Sequence, residues 1–283
     1  TIGLGCFLEL FSIALSKEGM TCDITPFPDG YSDKQLDSRR VALIHVYKST
    51  SVAKDPLFDQ ILNRRSNKKP FDTNKTIDNQ ALAKLVSASN TPSEVYSTNE
   101  EKQLSQLREL TNLAMELEIK TPRTYQESID LMRIGKSEIN ANPDGIALGG
   151  PFLESLNKLG MLTRESLGDP SSDAYQQGID MFKEITESAM GYLWISTKTN
   201  TRLDQIRVGR DYVRLNLKAA ELGLAYHPLS QALQEYTEMD RLYGQVHQIT
   251  AQEGSRIQML VRLGYGIEID PSPRWPIDAK IIA

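Results

Sequence analysis

Apolar residues recur at helical spacing in several segments of the chain, and most of these segments end at a recognisable stop signal. The first runs from Ile2 to Lys17 and is followed by Gly19, a residue typical of the position just beyond a helix. Asp55 followed by Pro56 predicts the start of a second helix, which runs into residues 63–69. Further helices are predicted from residue 76 onward, and at Asn99–Ile119, Asp173–Met190, Arg202–Leu222 and Met239–Gln252.

Apolar runs of strand length separate several of these helices. Strands are predicted at Met20–Phe27, Val41–Tyr47, Tyr192–Thr197 and Ile257–Leu263, and Leu224-Ala225-Tyr226 is strand-like. Apolar residues occupy both alternating sets of positions in the second of these strands, which predicts that both of its faces are buried. Between Lys120 and Gly168, short helical pieces alternate with turns rich in Pro and Gly, a texture typical of a lid or a surface layer.

Composition and charge narrow the possible functions. The chain has 283 residues, enough for one large domain or two small ones, and its formal net charge is −5. An acidic chain argues against a general affinity for nucleic acid or anionic membranes, so a local basic cluster is informative. The longest apolar run, Ile2–Leu15, contains Glu9 and is too short to cross a bilayer. Two cysteines and three widely spaced histidines predict neither a disulfide framework nor a metal site.

One such cluster is present: Asn63-Arg64-Arg65-Ser66-Asn67-Lys68-Lys69-Pro70-Phe71 places four cations and a hydroxyl within six positions. After a helix C-terminus, these cations fit a cap with a solvated charged face, because they complement the helix dipole. The same mixture of arginine forks, a hydroxyl and lysines also fits a phosphate site. Composition alone leaves both interpretations open.

Three other segments carry candidate chemistry. Gly3-Leu4-Gly5 opens a helix as a dinucleotide-binding loop does, but the third glycine and the preceding strand are missing, which favours close helix packing instead. Arg274 lies in a Pro-Arg-Trp-Pro frame that restricts the backbone and could aim the guanidinium. His227 has no Ser/His/Asp spacing and is interpreted as a hydrogen-bonded neighbour rather than a catalyst.

Together, these pieces resemble the nitroreductase family of FMN-dependent flavoproteins. The entry signature of that family, a helix ending in R-[RH]-S-x-[RK], is matched from Asp55-Pro56-Leu57-Phe58 through Arg64-Arg65-Ser66-Asn67-Lys68. The later matches are Gly209-Arg210-Asp211-Tyr212 through Gly223-Leu224, then Pro228-Leu229-Ser230, and finally the segment around Arg274. The chain is most similar to the Acg-type subgroup, in which two nitroreductase-like halves are fused.

The resemblance implies an α+β fold, in which helices cover both faces of a mixed sheet and a helical lid is inserted. Residues 1–53 would be the remnant of an N-terminal nitroreductase-like half, and 54–283 the FMN-binding domain, with a lid-like excursion at 120–168. Nitroreductases also hold the flavin with an Asn and Gln-Pro segment, which does not follow Thr91-Pro92-Ser93 in this chain. A partner or the first half would therefore complete the pocket.

The resemblance also assigns residues to the phosphate end of FMN. Arg64, Arg65 and Arg274 would bind the phosphate, and Ser66 would bind the ribityl or phosphate oxygens. No protein acid or base is expected, because the flavin itself carries the chemistry.

A second set of residues is assigned to the flavin ring. Lys68 would lie near the pyrimidine edge, where a cation stabilises the negative charge of the reduced ring. Pro228, Leu229 and Ser230 would pass along the ring and offer backbone donors near its reactive N5.

The activity implied is that of an oxidoreductase, which passes a hydride from NAD(P)H to flavin N5 and on to a nitro- or quinone-type acceptor. The alternatives are a lid-closed protein that stores or sequesters FMN with little turnover, and a scaffold without a cofactor. The expected assembly is a homodimer or an intramolecular pseudo-dimer, with NAD(P)H and a small acceptor as partners and no nucleic acid. The expected location is the cytoplasm, or an exported compartment reached through an upstream twin-arginine signal.

Overall fold

The main sheet of the protein consists of four antiparallel strands. The computed structural model describes residues 1–35, 37–250 and 254–281. Its strands are β1 (Met20–Pro26), β2 (Ala42–Lys48), β3 (Glu94–Thr98), β4 (Met132–Ile134), β5 (Ile146–Leu148), β6 (Gly191–Thr197), β7 (Ala225–Pro228) and β8 (Arg256–Gly264). The main sheet has the order β3–β6–β8–β7, while β1 and β2 form an antiparallel pair and β4 and β5 a parallel pair.

Helices cover both faces of this main sheet. They are α1 (Ile2–Lys17), α2 (Asn79–Val86), α3 (Glu101–Lys120), α4 (Pro122–Leu131), α5 (Gly135–Ala141), α6 (Pro151–Lys158), α7 (Arg164–Gly168), α8 (Asp173–Glu187), α9 (Arg202–Glu221) and α10 (Asp240–Thr250). None of the helices within residues 1–35, 37–250 and 254–281 combines the length and apolarity needed to span a membrane.

Strand β6 separates two hydrophobic cores, because successive side chains of a strand point to opposite faces. Tyr192 and Trp194 pack in one core with residues of α3, α8 and α10. Leu193 and Ile195 pack in the other core with residues of α2 and α9. The prediction of an α+β fold with helices on both faces of a sheet is confirmed, and among the described strands the parallel pairing is confined to the small β4–β5 pair.

Helix α1 packs lengthwise against α9. Ile13 of α1 joins Leu57 and Leu217 in a small apolar cluster. Glu9, which is only 2% exposed, forms ion pairs with Arg210 and Arg214 of α9. The predicted helix over Ile2–Lys17 is confirmed with the same bounds.

The prediction of a helix after Asp55 is wrong beyond the first turn. The Asp55 carboxylate does accept the N–H of Leu57 at 2.8 Å, as an N-cap would, but the structure then forms a single 3₁₀ turn at Phe58–Gln60. Leu62 is 84% exposed, so an extension of the helix would have little apolar face to bury. The basic residues therefore lie on a loop rather than at the end of a long helix.

The prediction that β2 is buried on both faces is also wrong. Leu43, Val46 and Tyr47 are exposed, because β2 pairs with β1 in a two-stranded sheet. Strand β3 was not predicted from the sequence, since its residues Glu-Val-Tyr-Ser-Thr lack a long apolar run. The predicted end of the last helix, at Gln252, lies outside the described residues.

Candidate functional site

Asn67 anchors the basic loop to the rest of the protein and is 5% exposed. Its backbone N–H donates to the carbonyl of Tyr226 in β7 (3.0 Å), and its side-chain Nδ2 donates to the carbonyl of Ile267 (2.9 Å). Its Oδ1 accepts the N–H of Lys69 (3.1 Å), an arrangement typical of an Asx turn. The loop is thereby held between β7 and the segment that follows β8.

Arg262 lies beneath this loop and is completely buried. Its guanidinium makes five hydrogen bonds, all to neutral acceptors: the carbonyls of Asn67, Lys69 and Ile185, the hydroxyl of Ser188 and Nδ1 of His227. Burial lowers the pKa of Arg262 to about 9, which leaves the group charged at neutral pH. The ring of Phe71 lies 3.7 Å from the guanidinium carbon and adds a cation–π contact.

His227 is the uncharged partner of this buried cation. Burial, followed by the charges of Arg262 and Lys68, lowers the pKa of His227 to about 3. Nδ1 accepts from Arg262 Nε at 2.9 Å, so the proton of the neutral ring lies on Nε2. The interpretation of His227 as a hydrogen-bonded neighbour is confirmed.

The two adjacent arginines of the loop have different surroundings. Arg65 Nη1 donates to the carbonyls of Leu62 (2.7 Å) and Arg64 (2.9 Å), and its Nε donates to the carbonyl of Ile269 (3.4 Å). These bonds cap the turn that precedes the loop. Arg64 lies on the side of α1 and α9, where its charge acts on Cys6 and Tyr212.

A cavity of about 320 Å³ opens beside the loop, lined by residues from 63–67, 216–225 and 266–269. Arg65 and Asn67 line it from the loop, and Asn216 lines it from α9. Asn216 is only 1% exposed, and its side chain lies against the hydroxyl of Tyr212 one turn earlier on α9. Its Nδ2 nevertheless completes no hydrogen bond of normal geometry within the described part of the chain. Glu268, which is exposed, lines the same cavity.

Gly223 is one of the residues that line this cavity. Its φ of 69° lies in the left-handed region, its N–H donates to Ala220, and the N–H of Leu224 donates to the carbonyl of Ala219. This is the Schellman arrangement, which ends α9 and turns the chain into β7. The turn brings residues 225–230 alongside the basic loop, where Tyr226 accepts the bond from Asn67.

The segment Pro228-Leu229-Ser230 differs in one respect from its predicted role. Leu229 is 1% exposed within the core, and its N–H donates to the carbonyl of Leu260. That backbone donor is therefore engaged, and Leu229 supports the segment instead of offering a free N–H. The hydroxyl of Ser230 is buried and lacks a hydrogen-bond partner among residues 1–35, 37–250 and 254–281.

Arg274 lies on the extended C-terminal segment and is exposed. Its Nη1 donates to the carbonyl of Pro273 (2.9 Å), and the neighbouring Trp275 indole donates to Asp144 (3.0 Å). The bond to Asp144 ties this segment to the excursion at 120–168 rather than to the basic loop. Residues of the excursion, including Tyr125, Ile129 and Leu167, are buried in the core around α3 and α8.

The sequence did not single out Asn67, Arg262 or Asn216. Asn67 carried a local signal, because asparagine in a loop often bonds the backbone two residues further on. Arg262 interrupts an apolar strand, and a charged residue in such a run signals a buried polar contact. Asn216 gives a similar signal on the buried face of α9.

No protein-family model and no curated protein sequence matches the chain. Several solved structures are similar to it, all at low sequence identity. An FMN- and NADPH-dependent nitroreductase from Sphigopyxis sp. strain HMH matches with 16% identity and a TM-score of 0.49, over 81% of this chain and 99% of that chain. A nitroreductase with bound FMN from Desulfitobacterium hafniense DCB-2 matches with 12% identity and a TM-score of 0.47, over 81% and 98% of the two chains. An FMN-dependent nitroreductase from Mycobacterium smegmatis, in complex with NADPH, matches with 15% identity and a TM-score of 0.46, over 79% and 96%.

Proposed function

We propose that this chain is an FMN-binding, nitroreductase-like oxidoreductase. At the identities and TM-scores given above, the proposal rests on the residues of the chain itself. The observation that carries it is that Arg65 and the buried amide of Asn216 line one cavity, beside the loop that bears Ser66 and Lys68. A guanidinium and a buried N–H donor in one cavity favour a ligand with anionic oxygens.

The donor set fits the phosphate and ribityl end of FMN. A buried donor without a partner costs about 1–3 kcal/mol, and an oxygen of a bound ligand would offset that cost at Asn216 Nδ2. Arg65 already holds its turn through Nη1 and Nε, so its guanidinium is ordered before a ligand arrives. Glu268 opposes an anion in the same cavity and would reduce the affinity.

The ring of the cofactor is proposed to lie along Lys68 and the segment 228–230. Lys68 is exposed and carries the positive charge, while His227 beside it is neutral. A cation at the edge of a flavin favours the reduced, anionic form. The buried hydroxyl of Ser230 is available as a hydrogen-bond donor or acceptor on the same segment.

Arg64 and Arg274 remain proposed ligands of the phosphate. The guanidinium of Arg274 donates to the carbonyl of its own neighbour Pro273, an exposed bond that a phosphate can replace at little cost. Arg64 is half-buried at the start of the loop. Neither Arg64 nor Arg274 is among the residues that line the cavity beside Arg65, so both would reach the phosphate from outside that cavity.

The protein would bind and orient the cofactor, exclude water from it and stabilise the negative charge of the reduced flavin. Bound FMN would supply the redox chemistry, with NAD(P)H as the hydride donor and a nitro or quinone compound as the acceptor. The residues of the chain would act through charge at Lys68 and hydrogen bonding at Ser230, without an acid or base of their own. A homodimer that completes the ring side of the site belongs to the same proposal.

Anaerobic reduction of the loaded protein tests the proposed activity. The purified chain is incubated with excess FMN, separated from free cofactor, and mixed with NADH or NADPH in an anaerobic cuvette. Loss of the flavin absorbance near its visible maximum supports an oxidoreductase. A flavin that is reduced by dithionite but not by either nicotinamide supports storage, and a colourless protein after loading contradicts both.

A further inference from the structure

One buried guanidinium bonds to both segments that are proposed to hold the cofactor. Arg262 Nη2 donates to the carbonyls of Asn67 (3.2 Å) and Lys69 (2.7 Å), on either side of Lys68. Arg262 Nε donates to Nδ1 of His227 (2.9 Å), which directly precedes Pro228. Because the guanidinium is planar and rigid, these bonds fix the two segments relative to each other.

The same group also fixes the exit of the basic loop. Arg262 Nη1 donates to the carbonyl of Ile185 (2.9 Å) and to the hydroxyl of Ser188 (3.1 Å). That hydroxyl also accepts the backbone N–H of Phe71 at 2.9 Å, and the Phe71 ring packs on the guanidinium. Arg262 thus holds residues 67–71 directly at Asn67 and Lys69, and through Ser188 at Phe71.

A charged group in this position is costly for stability alone. The removal of a charge from water carries a penalty of several kcal/mol, and an apolar side chain of similar size often stabilises such a site as well or better. Arg262 is 0% exposed and its five hydrogen-bond partners are neutral, so no ion pair among the described residues offsets the cost. What the arginine adds over an apolar residue is directed bonding to three separate segments of the chain.

We infer that Arg262 is a positioning residue for the cofactor site, which holds the loop 67–71 and His227 so that Lys68 and the segment 228–230 face the same ligand. This inference rests on the proposed function for the identity of that ligand. The bond from Arg262 also fixes the tautomer of His227, with the proton on Nε2. Lys68 lies close enough for its charge to act on that ring, so both groups belong to one electrostatic site.

Amide exchange and histidine NMR on the full chain test the positioning role without any cofactor. In Arg262→Lys and Arg262→Met, exchange at the hydrogen-bonded amides of Asn67, Lys69 and Phe71 should rise by at least about tenfold, because the loop loses the bonds that hold its carbonyls. The ¹⁵N spectrum of His227 should show that the bias toward the Nε2–H tautomer is lost. Leu85→Ala, in the core on the opposite face, is the control for a general loss of stability. Unchanged exchange in the loop would overturn the inference. So would an equal rise in β6 of the Arg262 variants, or an equal rise in the loop of Leu85→Ala.

Cofactor affinity supplies the second readout. Ser188→Ala removes one acceptor of Arg262 and the anchor of the Phe71 N–H with little change in volume, so it keeps the test valid if the Arg262 variants do not fold. Both kinds of variant should weaken FMN binding by about tenfold or more, and Leu85→Ala by less than about twofold. If the wild-type chain binds no FMN, the proposed function fails, whereas exchange and the imidazole spectra still decide the role of Arg262. Equal FMN affinity in the wild type and the variants would show that Arg262 does not position the site.

Discussion

Gly5 of α1 and Gly209 of α9 face each other where the two helices cross, and neither position has room for a side chain. A Cβ on Gly5 would lie 3.0 Å from the Cα of Gly209 and would collide with the carbonyl oxygen of Ile206. A Cβ on Gly209 would lie 2.9 Å from the Cα of Gly5. These contacts are with backbone atoms, which cannot rotate away. The interpretation of the N-terminal glycines as helix-packing residues is confirmed for Gly5.

Substitution of either glycine should push the two helices apart. Gly5→Ala and Gly209→Ala are each expected to lower the free energy of unfolding by about 2 kcal/mol, because overpacking outweighs the gain in helix propensity. Urea denaturation measures the change. Gly3→Ala is the matched control, since a Cβ at that position would meet no atom of another element within 4 Å in the described part of the chain. A loss of stability in Gly3→Ala equal to that in Gly5→Ala would contradict this account.

Removal of the buried carboxylate of α1 should be more costly still. Arg214 is mostly buried and forms ion pairs with two carboxylates, Glu9 at 3.0 Å and Asp55 at 2.9 Å. Glu9→Gln removes one of these two negative partners. The expected loss is about 3 kcal/mol, also measured by urea denaturation. Glu187→Gln removes an exposed partner of Lys183 and should change stability by less than about 0.5 kcal/mol. Similar effects of the two variants would count against a buried network.

The neutral state of His227 makes stability depend on pH. Its folded-state pKa is lowered to about 3, below the unfolded value, so the unfolded chain binds the extra proton as the pH falls through 6.5. The free energy of unfolding should therefore fall by about 1.4 kcal/mol for each unit by which the pH drops between about 6.5 and 4, in addition to the effect of any other titrating group. His227→Gln should flatten this part of the curve of unfolding free energy against pH. An unaltered slope in the variant would contradict the assignment of a neutral, buried ring.

Glu268 should oppose the binding of an anionic ligand. Glu268→Gln removes a carboxylate from the cavity that Arg65 and Asn216 line, and is expected to tighten FMN binding by about two- to fivefold at low salt. Asp180→Asn, on the exposed surface of α8, changes the net charge by the same amount and should leave affinity unchanged. Equal gains in the two variants would indicate a general charge effect, and weaker binding in Glu268→Gln would contradict the placement of the phosphate.

Most of the long helices and the candidate loop were predictable from the sequence because their signals are local. The amphipathic pattern of Arg202–Glu221 and the stop at Gly223 lie within one stretch of chain, and so do Arg64, Arg65 and Ser66. What holds the loop was not predictable, since Asn67 and Arg262 lie 195 positions apart and meet only in the fold. The exposure of β2 was mispredicted for a related reason, because a strand does not encode whether a second layer covers it.

A comparison of FMN with riboflavin isolates the contribution of the phosphate to binding, because the two flavins differ by the phosphate alone. The intrinsic fluorescence of each flavin is followed as the wild-type chain, Arg65→Ala, Lys68→Ala and Lys69→Ala are added. We expect saturable FMN binding by the wild type, at least about tenfold tighter than riboflavin binding. Arg65→Ala should reduce that preference, Lys68→Ala should weaken both ligands, and Lys69→Ala should resemble the wild type. Equal binding of FMN and riboflavin by the wild type, or no saturable binding of either, would contradict a phosphate-binding site at this loop.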